Sequence, residues 1–134
     1  MSSADPVGQV ERLLGAPLPP GRKVSYFRWQ PSRALAYFTA YVKFGASREE
    51  FTDLVRRARM SRRGEGDALR YLPAAWAAEP ELRLGWWDPG PGTPPDSAAR
   101  GFGVNGWIVA KHERGTAYLI VTDTGHAEGT PGPT

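Results

Sequence analysis

Residues 101–106 read GFGVNG and match the G-x-G-x-x-G pattern of dinucleotide-binding and kinase phosphate loops. In a dinucleotide fold the last glycine opens a helix, whose N-terminal amides hold the pyrophosphate. Here Trp107, Ile108 and Val109 follow the glycines, and a second apolar run comes after a turn at Gly115. This pattern is typical of a β-hairpin, and the H-R-D and D-F-G motifs of a kinase are missing. The glycines therefore predict turns and a bulge where a Pro-rich loop enters a strand, and no nucleotide site.

Acid–base chemistry has few candidate side chains, because the chain contains only two histidines, His112 and His126. Either imidazole paired with Asp123 across the closing hairpin would suit a small hydrolase or isomerase. A metal site needs three or four ligands at set spacing, and neither H-x-x-x-H nor a cysteine occurs. We predict no catalytic residue, no metal and no cofactor, and keep the His–Asp enzyme as an alternative.

Five arginines lie between residues 56 and 63, namely Arg56, Arg57, Arg59, Arg62 and Arg63. Such a cluster could contact phosphates of nucleic acid or of an anionic surface. It is also typical of a solvated helix end that complements the helix dipole, with an Asp53–Arg57 pair at i,i+4. We favour the helix end, because the rest of the chain lacks a matching basic stripe, and keep the anion binder as an alternative.

The aromatic content is high, with five Trp, five Tyr and five Phe in one small domain. Both faces of the closing hairpin are apolar, which fits a central strand covered on both sides. The other explanation is an exposed aromatic sheet face that binds a partner. The candidate binding residues are Tyr37, Tyr41, Trp87, Trp107 and Tyr118.

Length and charge limit the class of protein. A chain of 134 residues suits one domain, and a net charge of +3 is a mild basic excess. A dedicated nucleic-acid binder usually has a denser basic stripe, so we expect another protein as the partner. No apolar run approaches the length of a membrane span, and the N-terminus lacks the features of a signal peptide. These features favour a soluble, cytoplasmic protein and leave the oligomeric state open.

The N-terminal half predicts a helix, a hairpin and a second helix. Asp5 caps a short helix that Gly15 ends, and residues 23–29 and 34–44 alternate as two strands around a turn at Pro31. In the second strand one face is wholly apolar and should meet the core, namely Ala36, Phe38, Ala40, Val42 and Phe44. Residues 47–50 have the capping-box form and open the best helix of the chain.

The segment after Gly64 is less regular. Residues 67–79 are weakly helical, with Leu69, Leu72 and Trp76 on one side and a kink or restart at Pro73. Residues 82–87 predict a strand, and residues 88–101 predict a long loop because they combine prolines and glycines with no large aliphatic side chain. Such a loop in a small domain is mobile or functional.

Four segments together resemble a group of small uncharacterised bacterial proteins that are often tethered to the cell envelope. They read APLPPGRKVSYFRW, YVKFGASREEFTDLV, LGWWDP and GWIVAKHERGTAYLIVTD, and they span residues 16–123. The shared features are a Leu-Pro segment, a Trp-Trp-x-Pro turn and a closing Tyr-Leu hairpin. The resemblance implies packing roles for Phe51, Trp86, Pro89, Tyr118 and Leu119, and no known activity. It also implies an envelope location, although this chain lacks a lipid-anchor cysteine.

The sequence as a whole predicts an α+β fold, a single antiparallel sheet of about five strands with helices packed on one face. Residues 1–20 form a short helix and a Pro-rich lead-in, 21–125 the α+β domain, and 126–134 a flexible C-terminal tail. We expect a non-catalytic module that binds another protein through the aromatic sheet face or the 88–101 loop.

Overall fold

The computed structural model describes residues 5–30, 38–66, 68–73, 76–103 and 105–123. Within these residues one antiparallel sheet has six strands in the order β1-β2-β6-β5-β4-β3. The elements along the chain are α1 (Pro6–Leu14), β1 (Val24–Trp29), β2 (Phe38–Gly45), α2 (Arg48–Arg57), β3 (Ser61–Arg62), α3 (Ala68–Tyr71), a 3₁₀ helix (Pro80–Leu82), β4 (Ser97–Phe102), β5 (Gly106–Glu113) and β6 (Thr116–Asp123). The predicted fold class, an α+β protein with a single antiparallel sheet, is confirmed, and the sheet has six strands where about five were expected. None of the described helices is long and apolar enough to cross a membrane.

The first helix begins and ends as predicted. Asp5 accepts a hydrogen bond from the Gly8 amide at 3.1 Å, and Gly15 ends α1 in the left-handed region at φ 70°. Val10 and Leu14 are buried, and the Leu18 amide donates to the Glu11 carboxylate at 2.7 Å. The N-terminal segment therefore packs into the same core as the sheet.

The second helix has the predicted capping box. Ser47 Oγ accepts from the Glu50 amide at 3.0 Å, and the Glu50 carboxylate accepts from the Ser47 amide at 2.9 Å. The apolar stripe of α2 is buried against the sheet, and the chain leaves the helix at Arg59, whose φ is 62°. The two long helices cover one face of the sheet, called here the helix face.

The helix face carries the main core. The predicted apolar face of β2 is buried at Phe38, Ala40, Val42 and Phe44, while Ala36 lies outside the described residues. In the register of the sheet these residues stand beside small and medium apolar residues of β6 and β5, namely Ala117, Leu119, Val121, Ile108 and Ala110. Regular alternation along each strand therefore gives a continuous apolar layer.

Arg100 is the charged exception on the helix face. Its guanidinium donates to the carbonyl oxygens of Ala58 at 2.7 Å and Leu14 at 3.0 Å, which lie at the C-terminal ends of the two long helices. One cation thus pairs with the last carbonyls of both helices, where the helix dipole favours positive charge. Burial lowers the pKa of Arg100 without removing its charge.

The GFGVNG segment connects β4 to β5, with Gly101 and Phe102 at the end of β4 and Gly106 at the start of β5. Gly103 has φ 61°, and a Cβ atom on Gly106 would collide with the backbone oxygens of Thr122 and Phe102. A strand follows Gly106 as predicted, so these glycines serve the hairpin and open no helix for a phosphate. The segment before them is β4, which corrects the expectation of a loop there.

Three expectations about residues 67–101 were wrong in detail. The helix expected over 67–79 is a single described turn, α3, because Pro73 cannot donate a helical hydrogen bond. The strand expected over 82–87 is instead a 3₁₀ helix followed by a turn that the Trp87 amide closes on the Leu84 oxygen at 3.0 Å. The loop expected over 88–101 ends at Ser97, where β4 begins. The predicted tail, 126–134, lies outside the described residues.

Candidate functional site

The opposite face of the sheet, called here the loop face, is crossed by a row of four polar side chains. Lys43 on β2 is paired with Tyr118 on β6, Tyr118 with Lys111 on β5, and Lys111 with Ser97 on β4. These four residues, called here the polar row, share one face because paired residues in an antiparallel sheet point to the same side.

One end of the polar row holds the start of the loop at residues 86–94. Lys43 Nζ donates to the Trp86 carbonyl oxygen at 3.0 Å and to Asp88 Oδ1 at 2.8 Å. The Tyr118 hydroxyl donates to the same Asp88 oxygen at 2.8 Å. The carboxylate of Asp88 is therefore clamped between a cation and a hydroxyl from two neighbouring strands.

The middle of the polar row is a fully buried lysine. Lys111 Nζ donates to the carbonyl oxygens of Gly90 at 2.7 Å and Gly92 at 3.1 Å, and lies 3.1 Å from Glu113 Oε1. An ammonium has three hydrogens to donate, and these contacts use all three. Glu113 also accepts from the Gly90 amide at 2.5 Å. The ammonium therefore anchors the loop and is not available as a nucleophile.

The pKa values of the acidic groups follow from this clamp. The hydrogen bond from Lys43, then that from Tyr118, lowers the pKa of Asp88. Burial raises the pKa of Glu113, but the Gly90 amide and Lys111 outweigh it, so the net shift is downward. Burial, then the bond to Asp88, raises the pKa of Tyr118 to about 12. The lowered pKa values keep the carboxylates of Asp88 and Glu113 ionised at neutral pH, and the raised pKa of Tyr118 keeps its hydroxyl protonated.

Next to the polar row, aromatic rings pack on the sheet. The ring of Trp87 meets Tyr41 and Tyr118 edge-to-face at 5.2 and 5.5 Å, and Trp87 Nε1 donates to the Trp76 carbonyl oxygen at 2.7 Å. Trp76 Nε1 donates to Thr93 at 3.2 Å. Both indoles thus connect the loop to the segment that precedes it.

The predicted aromatic binding surface is not open on this face. Tyr41, Trp87 and Tyr118 are buried, at 4%, 9% and 3% exposure, because residues 76–94 fold over them. Trp107 is half-buried and packs against the apolar cluster that contains Trp76 and Val109, and Tyr37 lies outside the described residues. Two explanations were given for the apolar residues on both faces of the sheet. The first, that both faces are covered within the chain, accounts for the rings of Tyr41, Trp87 and Tyr118.

The fold of residues 76–92 leaves an open cleft of about 540 Å³ above Trp76 and Trp87. Its walls are mostly apolar, with Glu79 and Arg83 as the charged residues among them. The lining also includes Ala77, Ala78, Pro80, Leu84, Pro89, Gly90, Pro91 and Gly92. The first part of the predicted functional loop therefore forms one wall of this cleft.

The arginine cluster is divided among a helix, a strand and the turns beside them. Arg56 and Arg57 both pair with Asp53, the latter at 2.7 Å, as expected for a helix end. The backbone turns at Arg59, which places Arg62 on β3 and 3.9 Å from Asp96. The hydrogen bond from Arg57 contributes most to the lowered pKa of Asp53. Arg56 and Arg57 thus lie on α2, whereas Arg62 lies on β3 and Arg63 in the turn after it.

The proposed pairing of His112 with Asp123 is wrong. In the hairpin register His112 is opposite Ala117, while Asp123 is opposite Gly106, so the two lie about 20 Å apart along the strands. His112 Nε2 donates to the Ala46 carbonyl oxygen at 2.7 Å, and its ring packs on Phe51 at 5.5 Å. His126 lies outside the described residues. Among the residues that are described, no group of three or more His, Cys, Asp or Glu could hold a metal ion.

Comparisons of the chain with protein-family models, curated proteins and solved structures return no match. The resemblance to small envelope-tethered bacterial proteins therefore stays a prediction.

Sequence reasoning missed Lys111, Glu113 and Asp88, which hold the wall of the cleft. The available sign was a lysine directly after the apolar run at 107–110. Its partners could not be identified, because Gly90 and Gly92 are 21 and 19 residues away along the chain.

Proposed function

We propose that this protein is a non-catalytic binding module that takes an extended, apolar peptide segment of another protein into the cleft above Trp76 and Trp87. The observation that supports this most directly is the construction of the cleft wall. The Pro-Gly-Pro-Gly segment at 89–92 is an irregular loop, yet a buried ammonium fixes two of its four carbonyl groups. A loop fixed before binding loses little conformational entropy when a ligand arrives.

The polar groups near the cleft favour binding over catalysis. Apart from the lining residues Glu79 and Arg83, the charged groups that hold the cleft wall are Lys111, Glu113 and Asp88, and each is already hydrogen-bonded to the loop or to the sheet. A catalytic acid or base has to be within reach of a reacting proton. The hydrogen bonds of these three groups instead hold the loop against the sheet, so their role is structural.

The chemistry of the lining favours an extended peptide with apolar or proline side chains. Tryptophan and proline surfaces are typical of grooves that recognise extended and polyproline segments. The two charged lining residues, Glu79 and Arg83, have opposite signs, so the cleft has no net preference for a charged ligand. Indole N–H groups cannot supply specificity here, because both are used internally.

The test is selection from a displayed library of random dodecapeptides on the immobilised protein, followed by titration of a selected peptide. Ala77→Arg places a long side chain in the cleft from an exposed lining position, and is expected to weaken binding at least tenfold. The matched control is Gln30→Arg, which adds the same charge at an exposed position away from the cleft.

Two results would contradict the proposal. One is a library that yields no peptide with measurable affinity for the folded protein. The other is a selected peptide that binds Ala77→Arg and the wild-type chain equally well. Enrichment of peptides rich in Pro and large apolar residues, with binding lost in Ala77→Arg and kept in Gln30→Arg, would support it.

A further inference from the structure

The two edges of the sheet differ in how well they are protected. β3 forms one edge and has only two residues, which leaves little backbone to pair with. β1 forms the other edge and has six residues, Val24–Trp29. In the described part of the chain, β1 pairs with β2 alone, so its outer N–H and C=O groups have no strand beside them.

β1 has few of the devices that prevent edge pairing. Natural edge strands are kept short, or contain proline, a bulge or charged side chains. β1 contains no proline and pairs with β2 in an uninterrupted register. Its one charged residue is Arg28, whose guanidinium lies 3.9 Å from the centre of the Phe38 ring on the same chain. Phe27, near its middle, is 38% exposed and is the large hydrophobic residue found exposed among the described residues. An exposed aromatic side chain on a strand with unpaired backbone groups is a feature of edges that pair with another strand.

We propose that β1 pairs with β1 of a second copy of this chain, antiparallel and about a two-fold axis, so that two sheets become continuous. This association is separate from the cleft, which is built from residues 76–92. A strand edge suits a second copy because an antiparallel edge is complementary to itself: each outward N–H meets an outward C=O of the copy.

The register follows from the faces of the strand. Side chains stay on their own side of the joined sheet only if residues of equal parity are paired. An axis at Phe27 places this ring against its counterpart, and Tyr26 opposite Arg28 of the second copy. Aromatic pairs and a cation beside a tyrosine ring are both favourable across strands. An axis at Arg28 would instead oppose two guanidinium groups, so we assign the axis to Phe27.

An interface of one strand pair and a few side chains is small, and we expect a weak, concentration-dependent dimer. Sedimentation of the wild-type chain from about 10 μM to about 1 mM should show dimer growing with concentration, in the range of weak interfaces. Phe27→Lys introduces the charge that protects natural edges and should abolish the dimer. A wild-type chain that stays monomeric up to the highest concentration overturns the proposal, as does a Phe27→Lys variant that dimerises equally well.

The chain has no cysteine, so a single engineered thiol reports the register directly. Residues facing each other across strands have Cβ atoms about 5 Å apart, so Phe27→Cys should form an intermolecular disulfide under mild oxidation. Ser25→Cys is the matched control on the same face, because its counterpart lies about 13 Å further along the strand. Equal cross-linking in both variants, or in neither, contradicts the proposed pairing. Preferential cross-linking of Tyr26→Cys would contradict the axis at Phe27.

Discussion

The helix face and the loop face of one sheet are covered in different ways. On the helix face, α1 and α2 pack apolar stripes onto alternating apolar residues, and Arg100 is the polar group that joins them. On the loop face, short irregular segments cover the sheet, and the polar row holds them through their backbone. The helices on the helix face form hydrogen bonds between their own backbone groups. The irregular segments on the loop face depend on side chains of the sheet for hydrogen bonds to their backbone groups.

This difference has an energetic consequence. Apolar packing is spread over many contacts, so one altered residue leaves most of the layer intact. A buried charge is stable only while its partners are in place, because an unpaired charge or carbonyl in a low dielectric is costly. The loop face should therefore be the more sensitive face to a single polar substitution, and the more easily detached from the sheet.

Lys111→Met gives the largest expected effect. It removes the ammonium from the carbonyl oxygens of Gly90 and Gly92 and leaves Glu113 without its nearest cation. We expect a loss of about 3 kcal/mol in the free energy of unfolding, measured by urea denaturation. Amide exchange should rise over residues 86–94 before it rises in α1 and α2.

The control for that variant is Lys43→Met, at the end of the same polar row. The Lys43 side chain is 26% exposed, so water can replace part of what it provides to Trp86 and Asp88. A smaller loss of stability is expected for Lys43→Met. An equal loss of stability in both variants, or a uniform rise of amide exchange on both faces of the sheet, would contradict the greater sensitivity of the loop face.

Arg100→Met tests the one polar connection on the helix face. It leaves the last carbonyls of two helices without their donor, and we expect a loss of about 2 kcal/mol in the free energy of unfolding. Arg100→Lys keeps the charge beside the helix ends but not the forked geometry, and should recover part of the loss. The measurement is thermal and urea unfolding followed by circular dichroism. Full stability of Arg100→Met would show that apolar packing alone holds this face.

The smallest expected effect comes from the alkaline titration of Tyr118. Because the pKa of Tyr118 is raised to about 12, the folded protein holds this proton more tightly than the unfolded chain does. Its stabilising contribution is fully present below the ordinary tyrosine pKa of about 10 and is lost as the pH rises towards 12. Tyrosinate absorbance should show a late-titrating group that Tyr118→Phe removes. A wild-type titration without such a group would contradict the hydrogen bond from Tyr118 to Asp88.

Much of the helix face was predictable from the sequence, because its patterns are local. Asp5 and Ser47 cap helices through residues three positions away, and the alternation in β2 marks its buried face within a few residues. The glycines of GFGVNG were interpreted as a turn for the same reason, since the alternating residues after them identify a strand.

The loop face was not predictable in the same way. β4 begins at Ser97-Ala98-Ala99, which has little strand propensity and becomes a strand because β5 offers it a partner. Residues 82–87 have the aromatic content of a strand, yet they form a turn because no described strand lies beside them to complete a ladder. Tertiary pairing overrode local preference at both places.

The sequence by itself determined α1, α2, the two hairpins and the apolar side of the sheet, since caps, turns and alternation act between neighbours along the chain. Only the tertiary structure decided that Tyr41, Trp87 and Tyr118 are covered, that His112 and Asp123 are apart, and that a cleft forms over the tryptophans. These outcomes depend on hydrogen bonds between residues far apart in sequence, such as Lys111 with Gly90. A buried lysine has to donate all three of its ammonium hydrogens, but the sequence does not indicate which carbonyl groups will accept them.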